Sequence, residues 1–341
     1  MTFTAADDDS GRRLDRVLRK ALPGIPLSAL YRLFRRRAIL VDGRPASGAD
    51  RVAAGSVIQI PGDGLSPDRA PNRAPAPGRP RRETAAPLPE ILFEGEGLLV
   101  LNKPAGLAVH GPDRDNLNRR VQTYLRDRIP ASLSFRPGPL HRLDKPTSGI
   151  VVFSTCLEGA KTFSELLEKG KLVKTYLAVL EGSLEHEELW NDLLFRDKQR
   201  RKSLAGPKAA PAAGSPAAGN PAVPGNRARN SREKEALTVA RPLCRSNAPG
   251  SLTLALVQPK TGRTHQIRSQ AALHHFPLWG DRKYGAKGEG GFFLHALSLE
   301  FPPEASFPRR ITAGPPAAFT AFLKERFGPD IFLSGLFDRI F

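Results

Sequence analysis

Only two cysteines, Cys156 and Cys244, occur in 341 residues. That excludes a disulfide-dense secreted fold, and their positions give no metal-ligand spacing. The expectation for both is a small, buried, apolar role. Long hydrophobic runs are also missing. Nothing approaches the ~20 apolar residues that span a bilayer. The first segment, MTFTAADDDSGRR, is acidic then basic and has no apolar stretch for export. No long amphipathic or lipidated anchor supports a membrane-surface role. A cytoplasmic protein with no membrane partner is the simplest expectation. There is no GxxxxGK[ST] loop, no strand-bound GxGxxG and no metal-spaced His/Cys cluster, so no nucleotide or metal site is read here. No repeat of solenoid type is present. Acidic charge is scarce: 34 Asp plus Glu face 52 Lys plus Arg, a net charge of +18. Such an excess favours a polyanionic partner, most often nucleic acid.

What is present suffices for about two domains with real cores. Residues 10–62 read as a small module. Leu14, Val17, Leu18 and Leu22 form an apolar stripe at helical spacing, ended by Pro23-Gly24. A second helix carries Leu30, Leu33 and Phe34, and its last turn holds Arg35, Arg36 and Arg37, where cations complement the helix dipole. AILVDGRPA with an Asp42-Gly43 turn, then SVIQIPG, complete it as small β elements. Residues 63–89 are rich in proline and arginine without apolar periodicity, an extended linker. The second domain, 90–341, shows more strands than helices and hairpins rather than βαβ units. The fold class expected is α+β around a mixed or antiparallel sheet. From Ser203 to Ser231 the chain is dominated by Ala, Pro, Gly and Asn, too poor in large apolar groups to offset ordering, and reads as a disordered insertion.

The stretch HRLDKPTSGIVVFS, His141 to Ser154, carries chemistry. One acid, Asp144, stands between Arg142 and Lys145, followed by a turn and an apolar strand. A carboxylate beside fixed positive charge favours its ionised form. It is a poor proton donor and a candidate nucleophile or electrostatic stabiliser. On its own, an RLD triplet is better explained by a loop salt bridge before a core strand. No Asp or Glu adjoins Asp144, whereas glycoside hydrolysis usually needs a pair of carboxylates.

Four stretches, LNKPAGLAVH (101–110), HRLDKPTSGIVVFS (141–154), KTYLAVLEG (174–182) and PKTGRTHQIRSQ (259–270), stand in an order that resembles the RluA/RluC/RluD family of RNA pseudouridine synthases. GDRKYG and FFLHALSLEF follow where that family would place them. The N-terminal module resembles the "S-four" RNA-binding domain. The resemblance implies isomerisation of a uridine inside RNA: the ribose–nitrogen bond breaks, the uracil turns, and it rejoins through a ring carbon. No cofactor is implied. Asp144 would be the catalytic residue, by attack on the anomeric carbon, by stabilising positive charge or by taking a proton. Arg268 would pair with it, and Tyr176 would stack on the uracil and take part in proton transfer. Arg142 would fill the stack vacated by the flipped base or clamp phosphates. Lys103 and Arg263, within the motifs, and Arg35, Arg36 and Arg37 would contact RNA.

His141 and His265 read as structural residues that shape their loops. Pro146 and Gln270 depart from the family pattern, which more often has an acid and a His there. The resemblance points to large-subunit ribosomal RNA as substrate, with transfer RNA as the runner-up and a monomer favoured. Two rivals remain: a non-catalytic RNA-binding assembly protein, and a hydrolase that releases free uracil.

Overall fold

The computed structural model describes residues 1–61, 86–197, 202–207, 233–246 and 251–329. Most of the linker and of the 203–231 insertion therefore lies outside the described residues. The chain divides into two compact units, one of Met1–Val100, His110–His141 and Val152–Ser164, the other of Leu101–Val109, Arg142–Val151 and Glu165–Phe341.

In the first unit, strand β1 (Thr2–Thr4), helices α1 (Leu14–Ala21) and α2 (Leu27–Arg35), and strands β2 (Leu40–Val41), β3 (Arg44–Pro45) and β4 (Val57–Gln59) form the N-terminal module. Its sheet runs β1-β4-β2-β3, so it begins eight residues before the stretch that the sequence marks as a module. The α1 stripe is buried as its spacing predicts: Leu14, Val17 and Leu18 meet Leu30, Leu33, Ile39 and Ile58. Asp42 and Gly43 both adopt positive φ, the two-residue turn that matches strand twist. The module is tied to sequence-distant segments of the same unit. Asp9, fully buried, accepts hydrogen bonds from the backbone of Leu133 and Ser134 and from the hydroxyls of Ser132 and Ser134, while Asp8 accepts from the Leu157 amide. The unit continues with β5 (Ile91–Gly95), β6 (Leu98–Lys103), α3 (Leu117–Leu125), β7 (Gly138–Pro139), β8 (Ser148–Ser154) and α4 (Leu157–Glu168), of which β6, β8 and α4 run on into the second unit.

The second unit adds β9 (Val173–Glu181), β10 (Glu188–Asp197), β11 (Lys202–Pro207), β12 (Lys234–Arg245), β13 (Leu252–Pro259), α5 (Gln266–Leu273), β14 (Leu294–Glu300), β15 (Arg310–Thr312) and α6 (Ala317–Phe327). Its strands lie in the order β11-β10-β12-β13-β9-β14-β8, with β15 on β14. The pairing of β8 with β14 is parallel and the others are antiparallel, so the sheet is mixed, as expected. Both faces are covered, which is why TYLAVL and SLTLALV are nearly continuous apolar runs. Leu177, Val179, Leu254, Leu256 and Leu297 face Phe319 and Leu323 of α6. The alternate residues Ala178, Leu180, Ala255 and Val257 face Ile267 and Ala271 of α5.

The disordered insertion expected over 203–231 is corrected in its first residues, the remainder lying outside the described residues. Residues 202–207 form β11, in register with β10 from Asp197↔Lys202 to Asp192↔Pro207. An open strand edge satisfies these backbone groups without requiring apolar side chains.

Candidate active site

Asp144 lies on the loop that enters β8. The loop is held through its backbone: the Thr147 amide donates to Asp144 O (3.1 Å) and the Gly106 amide to Lys145 O (2.8 Å). The Thr-Ser-Gly turn that follows has a steric reason. Gly149 has φ +105°, and a Cβ there would lie 2.3 Å from the carbonyl oxygen of Ala296 on the parallel neighbour β14. Only glycine allows β8 so close. Ser148 and His295, opposite each other in that pairing, are also bonded through their side chains: Ser148 Oγ to His295 Nδ1 at 2.9 Å, and His295 Nε2 to the Ala313 carbonyl at 2.9 Å. A carbonyl only accepts, so Nε2 carries the proton and Nδ1 accepts from the serine. Burial pushes the His295 pKa down to about 4.

Lys103 requires a correction. Expected at the RNA surface, it is fully buried. Its ammonium donates to three carbonyls, Pro104 (2.9 Å), Leu107 (2.8 Å) and Lys145 (3.2 Å). All three protons are thereby used, and none is available to a phosphate. Burial lowers its pKa to about 8, with the charge of Asp144 acting against that fall. Lys103 supports the loop beside Asp144 rather than touching substrate.

Helix α5 brings the second half of the site. Its N-cap residue, His265, is left-handed (φ 55°). The Gln266 side chain accepts from the Thr261 hydroxyl (2.7 Å) and the Arg263 amide (3.0 Å), closing the loop that precedes the helix. Arg268 then faces inward. Its Nη1 donates to Asp144 Oδ2 at 2.8 Å, the pairing that the family resemblance implies. Its Nε and Nη2 make a two-pronged contact with Asp281 at 2.7 and 2.8 Å. The guanidinium carbon lies 4.6 Å from the Phe292 ring centre and 5.0 Å from that of Tyr284. Burial opposes its charge, but the two carboxylates outweigh burial and raise its pKa.

His265 is both a loop-shaping residue and part of the site. Its Nδ1 is 2.8 Å from the Tyr284 hydroxyl, and its Nε2 lies 3.6 Å from Asp144 Oδ2. Burial lowers its pKa against the pull of Asp144, so the ring is neutral at pH 7. Tyr176 lies on β9, half-buried. Burial, and then the charge of Asp144, push its hydroxyl up to about 12. It is a phenol at neutral pH, able to donate a hydrogen bond and unable to act as a phenolate base. Arg142 and Arg263 are exposed, Arg263 bonding the Glu235 carbonyl through Nε (3.1 Å). Arg35, Arg36 and Arg37, in the first unit, are exposed at the end of α2. His141, also in the first unit, accepts from the Val152 amide (3.1 Å) and stacks on Phe163, a structural role. Gln270 is fully buried, donating to Trp190 O, Asp192 and Ala236 O and accepting from Thr238. The departure from the family pattern at this position thus ties α5 to β10 and β12.

Asp281, Tyr284 and the His295–Ser148 pair contact the site or the strands that carry it, and sequence alone does not single them out. GDRKYG stands out as a motif, but its acid has no visible partner in the sequence. The available signal is the glycine: Gly280 has φ +75°, and a Cβ there would sit 2.0 Å from Gly291 O. Such a turn aims the next side chain.

The site thus holds a single aspartate, on the loop before the Thr-Ser-Gly turn, bound by a buried arginine, with a tyrosine hydroxyl that feels its charge. Residues 97–273 match the model of the RNA pseudouridylate synthase family. The chain is 30% identical over 316 residues to ribosomal large subunit pseudouridine synthase C of Haemophilus influenzae, covering 88% of this chain and 86% of that protein. It is 31% identical over 331 residues to ribosomal large subunit pseudouridine synthase D of Xylella fastidiosa, covering 92% and 88%. The solved structure of human RNA pseudouridylate synthase domain containing 4 superimposes with TM-score 0.52 at 25% identity, over 68% of this chain and 91% of that one. The chain belongs to the RNA pseudouridylate synthase family. It is an isomerase of uridine in RNA.

Proposed function

We propose that this enzyme converts uridine to pseudouridine in large-subunit ribosomal RNA, with Asp144 as the catalytic residue. The observation that carries the assignment of the catalyst is the Arg268–Asp144 contact at 2.8 Å, made within a half-buried site. The names of the bacterial relatives support the choice of RNA.

The flipped uridine presents its ribose to Asp144 and its base to Tyr176. Arg268 orients the carboxylate and balances its charge in a site where water is thinned out. Asp144 then assists departure of the base from the anomeric carbon. The freed uracil turns and rebonds through C5. Tyr176 holds the ring by stacking, and as a phenol it donates a hydrogen bond during the turn. At the end the C5 proton passes to water, where the tritium assay finds it, and N1, freed from the ribose, takes up a proton, so one proton leaves and one enters. Nothing is oxidised and no group enters, so the atoms balance without a co-reactant.

Arg142, exposed beside Asp144, fills the space left by the flipped base. Arg263 and the arginines at 35–37 hold RNA phosphates, and the N-terminal module acts as an "S-four" RNA-binding domain. The reaction takes place where ribosomal RNA is made and assembled, which for a bacterial cell is the cytoplasm.

The test uses ribosomal RNA transcribed with tritium at uracil C5. The parent enzyme releases tritium to water, and Asp144→Asn releases none. Equal release by both refutes Asp144 as the catalyst. Release from transfer RNA but not from ribosomal RNA refutes the substrate assignment. Appearance of free uracil would make the enzyme a hydrolase.

A further inference from the structure

Arg268 has two carboxylate partners, and their geometries differ. Asp281 takes the flat side of the guanidinium, Nε and Nη2, in a two-pronged contact at 2.7 and 2.8 Å. On the other edge, formed by Nη1 and the second Nη2 proton, only Nη1 makes a contact with Asp144, and it reaches Oδ2. His265 Nε2 approaches that same oxygen, at 3.6 Å. Among the described residues Oδ1 of Asp144 accepts no hydrogen bond, so the two oxygens of one carboxylate are unequal.

We propose that Asp281 is a positioning residue that decides which oxygen of Asp144 meets the ribose. The proposal rests on the reading of Asp144 as catalyst. A guanidinium facing a single carboxylate prefers the two-pronged contact, with both oxygens engaged. Asp281 takes that mode on the Nε/Nη2 edge and so fixes the angle of the guanidinium. At that angle Arg268 meets Asp144 through Nη1 alone, holds Oδ2, and leaves Oδ1 to the substrate. Asp281 is almost fully buried. Its direction is set by Gly280, whose conformation and contact with Gly291 O exclude a side chain. Phe292 and Tyr284 lie against the guanidinium and limit its rotation toward Asp144. Without the Asp281 charge that angle is released, and Arg268 turns both Nη groups onto Asp144 and occupies both oxygens.

The experiment is steady-state tritium release by Asp281→Asn, Arg268→Lys, the double variant and Asp144→Ala, each checked for folding by thermal melting. Asp281→Asn should lower kcat on the order of 10²-fold, the loss typical of a misplaced catalytic group, with KM unchanged because no RNA contact is removed. Lysine has no fork to misdirect. In the Arg268→Lys background, Asp281→Asn should therefore change kcat by no more than about twofold. A purely structural role for Asp281 would instead multiply the two losses. If Asp281→Asn does not fold, Asp281→Glu carries the same cycle, since moving the carboxylate by one methylene also displaces the fork.

Parental kcat in Asp281→Asn overturns the proposal, as do fully multiplying losses or a rise in KM alone. Activity in Asp144→Ala removes the reading beneath it. An inactive Asp144→Ala with an unaffected Asp281→Asn overturns the positioning role alone.

Discussion

His295 makes burial in this fold measurable through pH. It is fully buried beneath the parallel contact of β8 and β14, bonded to Ser148 and to the Ala313 carbonyl. Burial lowers its pKa from 6.5 to about 4. The unfolded chain binds a proton at this ring near pH 6.5, and the folded chain refuses it until about pH 4. Stability from this residue is therefore fully present above pH 6.5 and is lost as pH falls from 6.5 toward 4. A difference of this size corresponds to about 3 kcal/mol over the whole window, and to about 2–3 kcal/mol at pH 4.5. His295→Gln removes the titration and keeps a group able to hydrogen-bond. Urea midpoints of parent and variant from pH 7.5 to 4.5 are compared as a difference, so that the other histidines and the carboxylates cancel. At pH 7.5 the variant should be the less stable, since glutamine packs less well there. The gap should close, and then reverse, as pH falls. Parallel curves across the window would refute a buried neutral imidazole at this position and the tautomer assigned to it.

Three further outcomes follow from the same geometry. Gly149→Ala must move β8 from Ala296 and adopt a positive φ, a cost of order 1–3 kcal/mol; thermal melting reads that loss, and tritium release should fall more steeply because Asp144 lies on the loop that leads into the displaced strand. Lys103, with a pKa of about 8, loses one of its three donors as pH rises through that value, so kcat should show an alkaline limb near pH 8 that is absent in Lys103→Met. Replacing Arg35, Arg36 and Arg37 by Gln should lower the slope of log affinity against log salt by about 2, at roughly 0.7–0.9 for each phosphate no longer neutralised; an unchanged slope in a filter-binding titration would remove these arginines from the RNA footprint.

Much of the frame can be read from residue order alone. The α1 stripe, the Asp42-Gly43 turn and the β12–β13 hairpin follow from local rules of periodicity and turn chemistry, which act over a few residues. Helix α3 is easily passed over, although Asn116 caps it and Leu117, Val121 and Leu125 repeat at helical spacing; that signal is weak beside the polar residues between. Strand β10 is harder. Its buried face reads Trp190, Asp192, Leu194, and the acid breaks the apolar alternation because Gln270 and His274 bind it from α5. At the site, an acid between two cations singles out Asp144, and the family resemblance supplies Arg268, 124 positions away. Asp281 stays hidden because a Gly-Asp pair reads as an ordinary turn. Lys103 is misplaced by sequence because a motif lysine in a basic chain suggests phosphate, whereas only the fold shows three carbonyls converging on it.

The acidic run near the N-terminus bears on the proposed grip on RNA. In a chain of net charge +18, Asp8 and Asp9 direct their charge inward, onto amides and hydroxyls at 132–134 and 157. The arginines at the end of α2 therefore do not hang on a loose tether. If they hold phosphates as proposed, they meet RNA already fixed to the segment that binds Asp9, and the rotational freedom a swinging module would surrender on binding has been given up when the unit folds. On that proposal, the acids that detract from the attraction to phosphate improve what each arginine contributes once contact is made.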